Sequence, residues 1–565
     1  MSERHTLELD ARLLSVDSRR VPLFRFDVLV LGGGCAGAST ALAAAQDGAE
    51  VAVLSKSALQ ETNTLYAQGG VAVVQHALDS FSNHAADTLR VGCGIAEEAV
   101  VEAVVADGPA AIDRLIGYGA RFDRHTDGSF ELSREGGHSH ARVLHARGDA
   151  TGREIQAVLA HELERHERIT CFPESFVIDL LCDANGRVGG ALVQLPDGKR
   201  AVFSGGAVVL ATGGAGQLYR ETTNPPVATG DGLAMAFRAG AALRDLEFFQ
   251  FHPTLLYLAG AARVLISEIV RGHGGILRDK NGVRFLSEGD AELSPRDVVS
   301  RAVFHRMVET NDTSVYLDLS QVDGDPHGLF PGISRICRFF GIDIARDPVP
   351  VRPGAHYQVG GVEVGLNGRT TVEGLWAVGE VASTGLHGAN RMGSNSLLEG
   401  LVLGERAGRD AAAQAHGRGL SGFEVRPQRV NRQAPDGIQV NVQDVTYSLK
   451  SLMWRQMGVV RDAEMMQDAI EKIGLWTGAV RSLGKPSIAT WELMNLLTIA
   501  QVATLGARFR EESRGTHHRS DFPTTDANWR GHTRAVPRFD SDVLDGVELE
   551  LDPIVEAAEA AYPEA

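Results

Sequence analysis

The stretch Asp27-Val-Leu-Val-Leu-Gly-Gly-Gly-Cys-Ala-Gly37, followed by the helix-forming run Ala38–Ala45 and by Val51-Ala-Val-Leu54, decides the fold. Val28–Leu31 is a continuous apolar run, as in a strand buried on both faces. Strand, Gly-rich turn, helix and strand fit within about 30 residues, the context that gives a Gly-rich turn meaning as a dinucleotide cradle. In this reading Gly32 makes the tight turn. Gly34 lets the backbone approach a pyrophosphate, and Gly37 lets helix and strand pack closely. A ribose-binding acid is expected after the second strand, but Ser55-Lys56 stands there, and Glu50 lies at the strand's other end. A plain NAD site is therefore weakened.

Working outward, Thr64-Leu-Tyr-Ala-Gln-Gly-Gly70 and Arg134-Glu-Gly-Gly-His-Ser-His140 read as Gly-bearing loops, with a helical stretch over Ala85–Leu115 between them. Pro196-Asp-Gly198 marks a hairpin. Ala207-Val-Val-Leu210 reads as another buried strand, and Leu375-Trp-Ala-Val-Gly-Glu380 as a strand that returns late. The expected organisation is α/β. Residues 26–246 and 354–417 form a discontinuous Rossmann-like domain, and residues 247–353 an inserted α+β capping domain. Residues 417–435 read as a linker. Apolar residues at helical spacing (Val445, Leu449, Leu452; Met466, Ile470, Ile473; Leu493, Leu497, Ala500) predict a C-terminal helical bundle over 436–530. Residues 540–565 hold nine acids and no Lys or Arg, which predicts a solvated tail.

The 565 residues are 44% hydrophobic and 22% charged, ordinary for a globular chain. Gly is the exception: 64 of 565, against a usual share of about 7%, which points to close backbone approaches to a ligand. A net charge of −17 argues against nucleic acid, which needs a basic footprint. The five Cys are scattered without CxxC spacing, so no metal site is indicated. Neither an apolar signal core nor a run of about 18 apolar residues occurs, so no membrane span and a cytoplasmic location are expected.

Further motifs are Gln250-Phe-His-Pro-Thr254, Pro295-Arg-Asp297, Ala355-His-Tyr357, Leu386-His-Gly-Ala-Asn-Arg391, Ser394-Asn-Ser-Leu397 and Glu512-Ser-Arg-Gly515. With Gly32–Gly37 and Tyr66–Gly70, they resemble, in family order, the flavoprotein family of succinate dehydrogenases, fumarate reductases and L-aspartate oxidases. Arg134–His140 and Leu144–Arg153 look like the oxidase branch. Asn63 stands where the dehydrogenases carry the His that bonds flavin covalently, and an amide cannot form that bond. The second-strand acid is not required in this family.

The resemblance implies non-covalent FAD. Its contacts would be Gly32, Gly33, Gly34, Cys35, Ala36, Gly37, Ser55, Lys56, Asn63, Thr64, Leu65, Tyr66, Ala67, Gln68, Gly69, Gly70, Asp231, Glu380, Ser396 and Leu397. It implies oxidation of L-aspartate to iminoaspartate with oxygen or fumarate as acceptor, at the start of NAD synthesis, with the product handed to quinolinate synthase. A fumarate reductase or succinate dehydrogenase flavoprotein subunit is the alternative. Arg296 and Arg391 match the family's Arg positions, and bidentate guanidinium geometry suits a dicarboxylate. His252 and His356 match its substrate His residues. Ser267 stands where a Thr is usual and keeps the hydroxyl. Arg296 is the expected proton-transfer residue. Glu135, an acid the dehydrogenase branch lacks, is expected to read the substrate's ammonium.

Overall fold

The computed structural model describes residues 1–14, 20–258, 260, 263–286, 291–415, 440–483, 487–540 and 543–554. Its central sheet runs in the order Ile169–Phe172, Val51–Leu54, Leu23–Leu31, Arg200–Leu210, Val188–Gln194, Phe176–Cys182. The first four strands are parallel and the last two antiparallel. The switch falls within Arg200–Leu210, whose first half pairs with the hairpin strand Val188–Gln194. Its last residues take Leu375–Ala377 alongside in parallel, Val208 opposite Leu375. The late strand therefore lies in the same sheet as Val28–Leu31.

Helix Cys35–Gln46 covers one face of this sheet and packs against helix Asn395–Ala415. Small residues set the approach. A Cβ on Gly404 would lie 2.6 Å from the Ala36 carbonyl oxygen, and one on Gly408 2.3 Å from that of Thr40. Thr40 Oγ1 donates to the Gly404 carbonyl at 3.0 Å. The stretch expected to be one helix over Ala85–Leu115 is two, Phe81–Val91 and Glu98–Gly117. Cys93 and Gly94 between them take positive φ, which an α-helix does not accommodate.

A four-stranded antiparallel sheet, ordered Phe249–Leu256, Val349–Gln358, Val315–Asp318, Ile276–Arg278, forms the cap with helix Arg296–Thr310 against it. It has its own apolar cluster, including Val299, Val303, Leu317 and Val351. The chain leaves and re-enters the cap on two strands that pair with each other, Phe249 opposite Gln358 and Leu256 opposite Val351. The division expected at residues 353 and 354 thus cuts through one continuous strand.

Three helices follow: Val442–Gln456, Ala463–Arg481 and Ile488–Phe509, N-capped by Asn441, Asp462 and Ser487. Ile488–Phe509 is long and apolar enough to cross a membrane by length and composition, yet 78% of its most apolar window is buried within the protein. The linker expected at 417–435 lies outside the described residues.

The solvated acidic tail is corrected. Val543–Pro553 is a strand between Ser2–Leu9 and Gly531–Asp540 in a six-stranded sheet. Leu544, Val547 and Leu549 are buried, while acids between and beyond them face arginines, Glu548 with Arg4 and Glu550 with Arg534. A count of acids hides this alternation, which is the signature of a half-buried strand. The remainder, 555–565, lies outside the described residues.

Candidate active site

One cavity of about 690 Å³ runs from the Gly-rich turn to the cap. At one end backbone geometry shapes it. Gly32 has φ +117°, and a Cβ there would sit 2.1 Å from the Ala211 carbonyl oxygen. A Cβ on Gly37 would sit 2.0 Å from the Gly32 carbonyl oxygen, so only Gly lets the helix start this close to the strand. Thr64 Oγ1 accepts from the Cys35 N–H at 3.1 Å, tying the second Gly-bearing loop to the helix N-terminus. Such a terminus favours a phosphate anion.

Every cofactor residue expected from sequence lines this cavity except Gly37 and Leu65. Gly37 acts behind the wall, in packing. Leu65 sits in the short 3-10 turn Asn63–Tyr66 and does not reach the wall. Lys56 lines the cavity with its amine engaged, 2.7 Å from Asp231 Oδ2 and 2.8 Å from Glu492 Oε1. The residue after the second strand is thus a cation held by two carboxylates from distant segments, not an acid. Glu380 accepts from the Gln358 N–H and from Asn63 Nδ2, both at 3.0 Å. Burial raises its pKa.

The fit to FAD rests on atoms left without partners. Asn63 Oδ1, Gln68 Oε1 and Thr212 Oγ1 are buried polar atoms with no hydrogen-bond partner, and all three residues line this cavity. An orphaned buried polar atom costs about 1–3 kcal/mol. A cofactor rich in hydrogen-bonding groups relieves that cost.

At the other end charged side chains converge. His252 and His356 lie on the two paired cap strands, their ring centroids 5.2 Å apart. Arg296 begins the cap helix, and Arg391 lies just before helix Asn395–Ala415. Gln250 Oε1 accepts from Arg296 Nη1 at 3.2 Å and from Arg391 Nη1 at 3.4 Å. One neutral carbonyl oxygen therefore holds two guanidinium groups together. Arg391 also donates to Ser396 Oγ at 2.7 Å and lies over the Tyr357 ring at 4.6 Å. Burial and then the Arg296 charge lower its pKa to about 10.

Glu268 organises Arg296. Its Oε2 accepts from Arg296 Nε at 2.9 Å, and its Oε1 accepts from the Gly136 N–H at 3.1 Å and lies 3.7 Å from Arg271 Nη2. Burial raises the Glu268 pKa, but Arg271 and Arg296 outweigh it, and the net shift is downward. Glu135 is buried beside this group and accepts from Ser394 Oγ at 2.8 Å. Ser394 has φ +63°, a strained conformation for a non-Gly residue. Both histidines titrate well below 6.5, chiefly through burial and then the Arg296 charge. The Thr254 N–H donates to His252 Nδ1 at 3.3 Å, so the neutral ring carries its proton on Nε2.

The six expected catalytic residues, Glu135, His252, Ser267, Arg296, His356 and Arg391, all line this end. Sequence reasoning missed Arg271 and the roles of Gln250 and Ser394, each of which opens a motif already quoted. Glu268 belongs to the Ser267-Glu268 pair that matches the family's Thr-Glu element, and Arg271 sits three residues on, a spacing that faces two side chains together on a helical turn.

The fold and the cavity define an FAD-dependent oxidoreductase. The family described as FAD binding domain matches residues 27–397, and the one described as fumarate reductase flavoprotein C-term matches 446–562. An L-aspartate oxidase of Streptomyces coelicolor is 42% identical over 95% of this chain and 96% of its own. One of Mycobacterium tuberculosis is 44% identical over 88% and 93%. Among solved structures, an E. coli quinol fumarate reductase is 34% identical with a TM-score of 0.86, covering 95% of this chain and 98% of that one. The chain belongs to the L-aspartate oxidase family.

Proposed function

We propose that this protein oxidises L-aspartate to iminoaspartate, with oxygen or fumarate accepting the electrons. One observation carries the reading. The half-buried Arg296 and the buried Arg391 share a neutral acceptor, and the buried carboxylate Glu135 lies beside them at Gly393. That arrangement lacks a dianion and offers a place for one ammonium. A four-carbon amino dicarboxylate supplies both.

FAD, when bound, supplies the hydride acceptor. Gly32–Ala36, Ser55, Lys56, Asn63, Thr64, Tyr66–Gly70, Asp231, Glu380, Ser396 and Leu397 would hold it. Asn63 has no nucleophilic ring nitrogen, so the flavin is held without a covalent bond. Acid precipitation of the holoprotein should leave the yellow colour in the supernatant, and colour in the pellet would contradict this.

Arg391 and Arg296 bind the two carboxylates, and His252 Nε2–H donates a further hydrogen bond. Glu135 takes the ammonium. Ser267 offers a hydroxyl, and His356, held by Thr223 Oγ1 at 3.0 Å, closes the wall. Arg296 moves the proton at the reacting position. A guanidinium is by nature a very weak proton acceptor, so an Arg acts as a base only with neighbouring positive charge or desolvation. As an acid toward fumarate, Arg296 needs no such help. We place the reaction in the cytoplasm, at the start of NAD synthesis, with iminoaspartate passing to quinolinate synthase.

The test is peroxide release by the purified chain with L-aspartate and oxygen, compared with succinate. Aspartate should turn over and succinate should not. Succinate turnover that required an added electron-transfer partner would favour a fumarate reductase or succinate dehydrogenase flavoprotein subunit.

A further inference from the structure

Beyond the catalytic residues, the cavity opens between the cap and the C-terminal helices, and Gln217, Arg220, Arg263 and Lys450 line that mouth. Arg220 follows the short turn Gly216–Leu218, Arg263 belongs to the cap, and Lys450 lies on helix Val442–Gln456. Glu221, with its side chain 2% exposed, accepts from Arg220 at 3.0 Å and from Arg263 at 2.5 Å. Arg352 stands behind them, stacked between Tyr257 at 4.6 Å and Trp454 at 5.0 Å. Lys450 Nζ donates to the neutral Gln217 Oε1, and among the described residues no carboxylate pairs with it. Burial holds its pKa below the usual value.

Three cations, Arg220, Arg263 and Lys450, therefore line the mouth of a chain whose net charge is −17. The global field repels a dicarboxylate, while a local positive rim beside low-dielectric walls concentrates it. The rim is continuous with the catalytic end. Thr223, three residues after Arg220, is bonded to His356, and Arg352 precedes His356 on the same strand.

We propose that Arg220, Arg263 and Lys450 form a capture site for small dicarboxylates, which holds the anion at the mouth before Arg296 and Arg391 take it. This rests on the reading that the cavity turns over dicarboxylates. The expected signature is an effect graded by ligand charge. Fumarate carries two negative charges, L-aspartate a net one, and oxygen none.

Stopped-flow measurement on the holoenzyme gives second-order constants for flavin reduction by L-aspartate and for reoxidation by fumarate and by oxygen. Wild type is compared with Arg220→Gln and Lys450→Gln. At low salt, each lost charge should slow fumarate about fourfold and L-aspartate about twofold, with oxygen unchanged, for charges about 10 Å apart in water. The differences should close at about 0.3 M salt, where screening is short-ranged. Arg220→Lys, which keeps the charge and changes the geometry, should restore the fumarate constant.

Equal losses with oxygen and fumarate, losses that persist in high salt, or failure of Arg220→Lys to rescue would overturn the proposal. Each would mean that the cluster only clamps the cap to the helix. A wild-type chain inert to L-aspartate but active with fumarate would sink the functional reading while leaving the fumarate and oxygen arms able to judge the capture site.

Discussion

Gly32 and Gly37 shape the cofactor end of the cavity by having no side chains, whereas Arg296, Arg391, Glu135 and Glu268 shape the substrate end with long charged ones. The first end is framed by one local βαβ unit, to which more distant segments add Thr212, Asp231 and Glu380. The second gathers residues from the loop at 134–140, the paired cap strands, the cap helix and the segment at 390–396. Backbone shape tolerates no added atom, because the obstruction is another carbonyl oxygen. Truncating a substrate-end side chain adds no atom to the wall, so its first effect is expected on the reaction. The two ends should therefore break in different ways.

The largest expected effect is at the backbone end. Gly37→Val places side-chain carbon against the Gly32 carbonyl oxygen and should cost at least about 4 kcal/mol, the range of severe core lesions. The purified chain, if recovered, should carry almost no flavin by visible absorbance. A flavin-loaded variant would show that the turn adapts and would erase the contrast between the ends.

Next comes Arg296→Leu, which should lower turnover by about 10²–10⁴-fold, the usual weight of a proton-transfer residue. Flavin content should stay at the wild-type value. Loss of flavin together with activity would show that the ends are not separable.

Glu135→Gln should sharpen the comparison within the substrate end. A buried charge partner is worth roughly 2–5 kcal/mol, or about 30- to several-thousand-fold in kcat/KM with L-aspartate. Fumarate reduction, whose substrate has no ammonium, should be spared. Equal losses with both substrates would make Glu135 a support of the wall rather than a reader of the amino group.

The smallest effect is in the pH profile. Arg391 is charged below its lowered pKa of about 10 and loses that charge as pH rises through it. The kcat/KM for fumarate, which reports the free enzyme, should fall about tenfold per pH unit above that point. His252 and His356 are neutral well below their usual titration range, so neither should produce an inflection between about pH 6 and 8. A bell centred near neutrality would assign a titrating role to one of them.

The same division governs what the sequence made legible. The strand, Gly-rich turn and helix are readable because they are contiguous in sequence and their spacing is rigid, even though the helix also packs on the distant Asn395–Ala415. Leu375–Ala377 was readable as a buried strand from its apolar run. Arg296, Arg391, His252 and His356 were recognised through family motifs, and periodicity alone would not have found them. Gln250 as a bridge between two arginines, and Glu268 between Arg296 and Arg271, depend on the pairing of the cap strands and the docking of a helix. No local pattern encodes either. The acidic tail differs for another reason: the acid content of 540–565 masks buried Leu544, Val547 and Leu549, which sit among the acids on a paired strand.

That last strand has a consequence in time. Arg4 and Glu548, which join the first strand to its partner, are 544 positions apart along the chain. At about 5–20 residues per second of synthesis, residues 2–9 emerge roughly half a minute to two minutes before residues 543–553 exist to pair with them. Through that interval the segment has no partner strand, and any extended conformation it takes is a template for association with neighbouring chains. Glu3 and Arg4 on that strand remain exposed in the finished fold. Such charges on a waiting edge are a known guard against premature pairing.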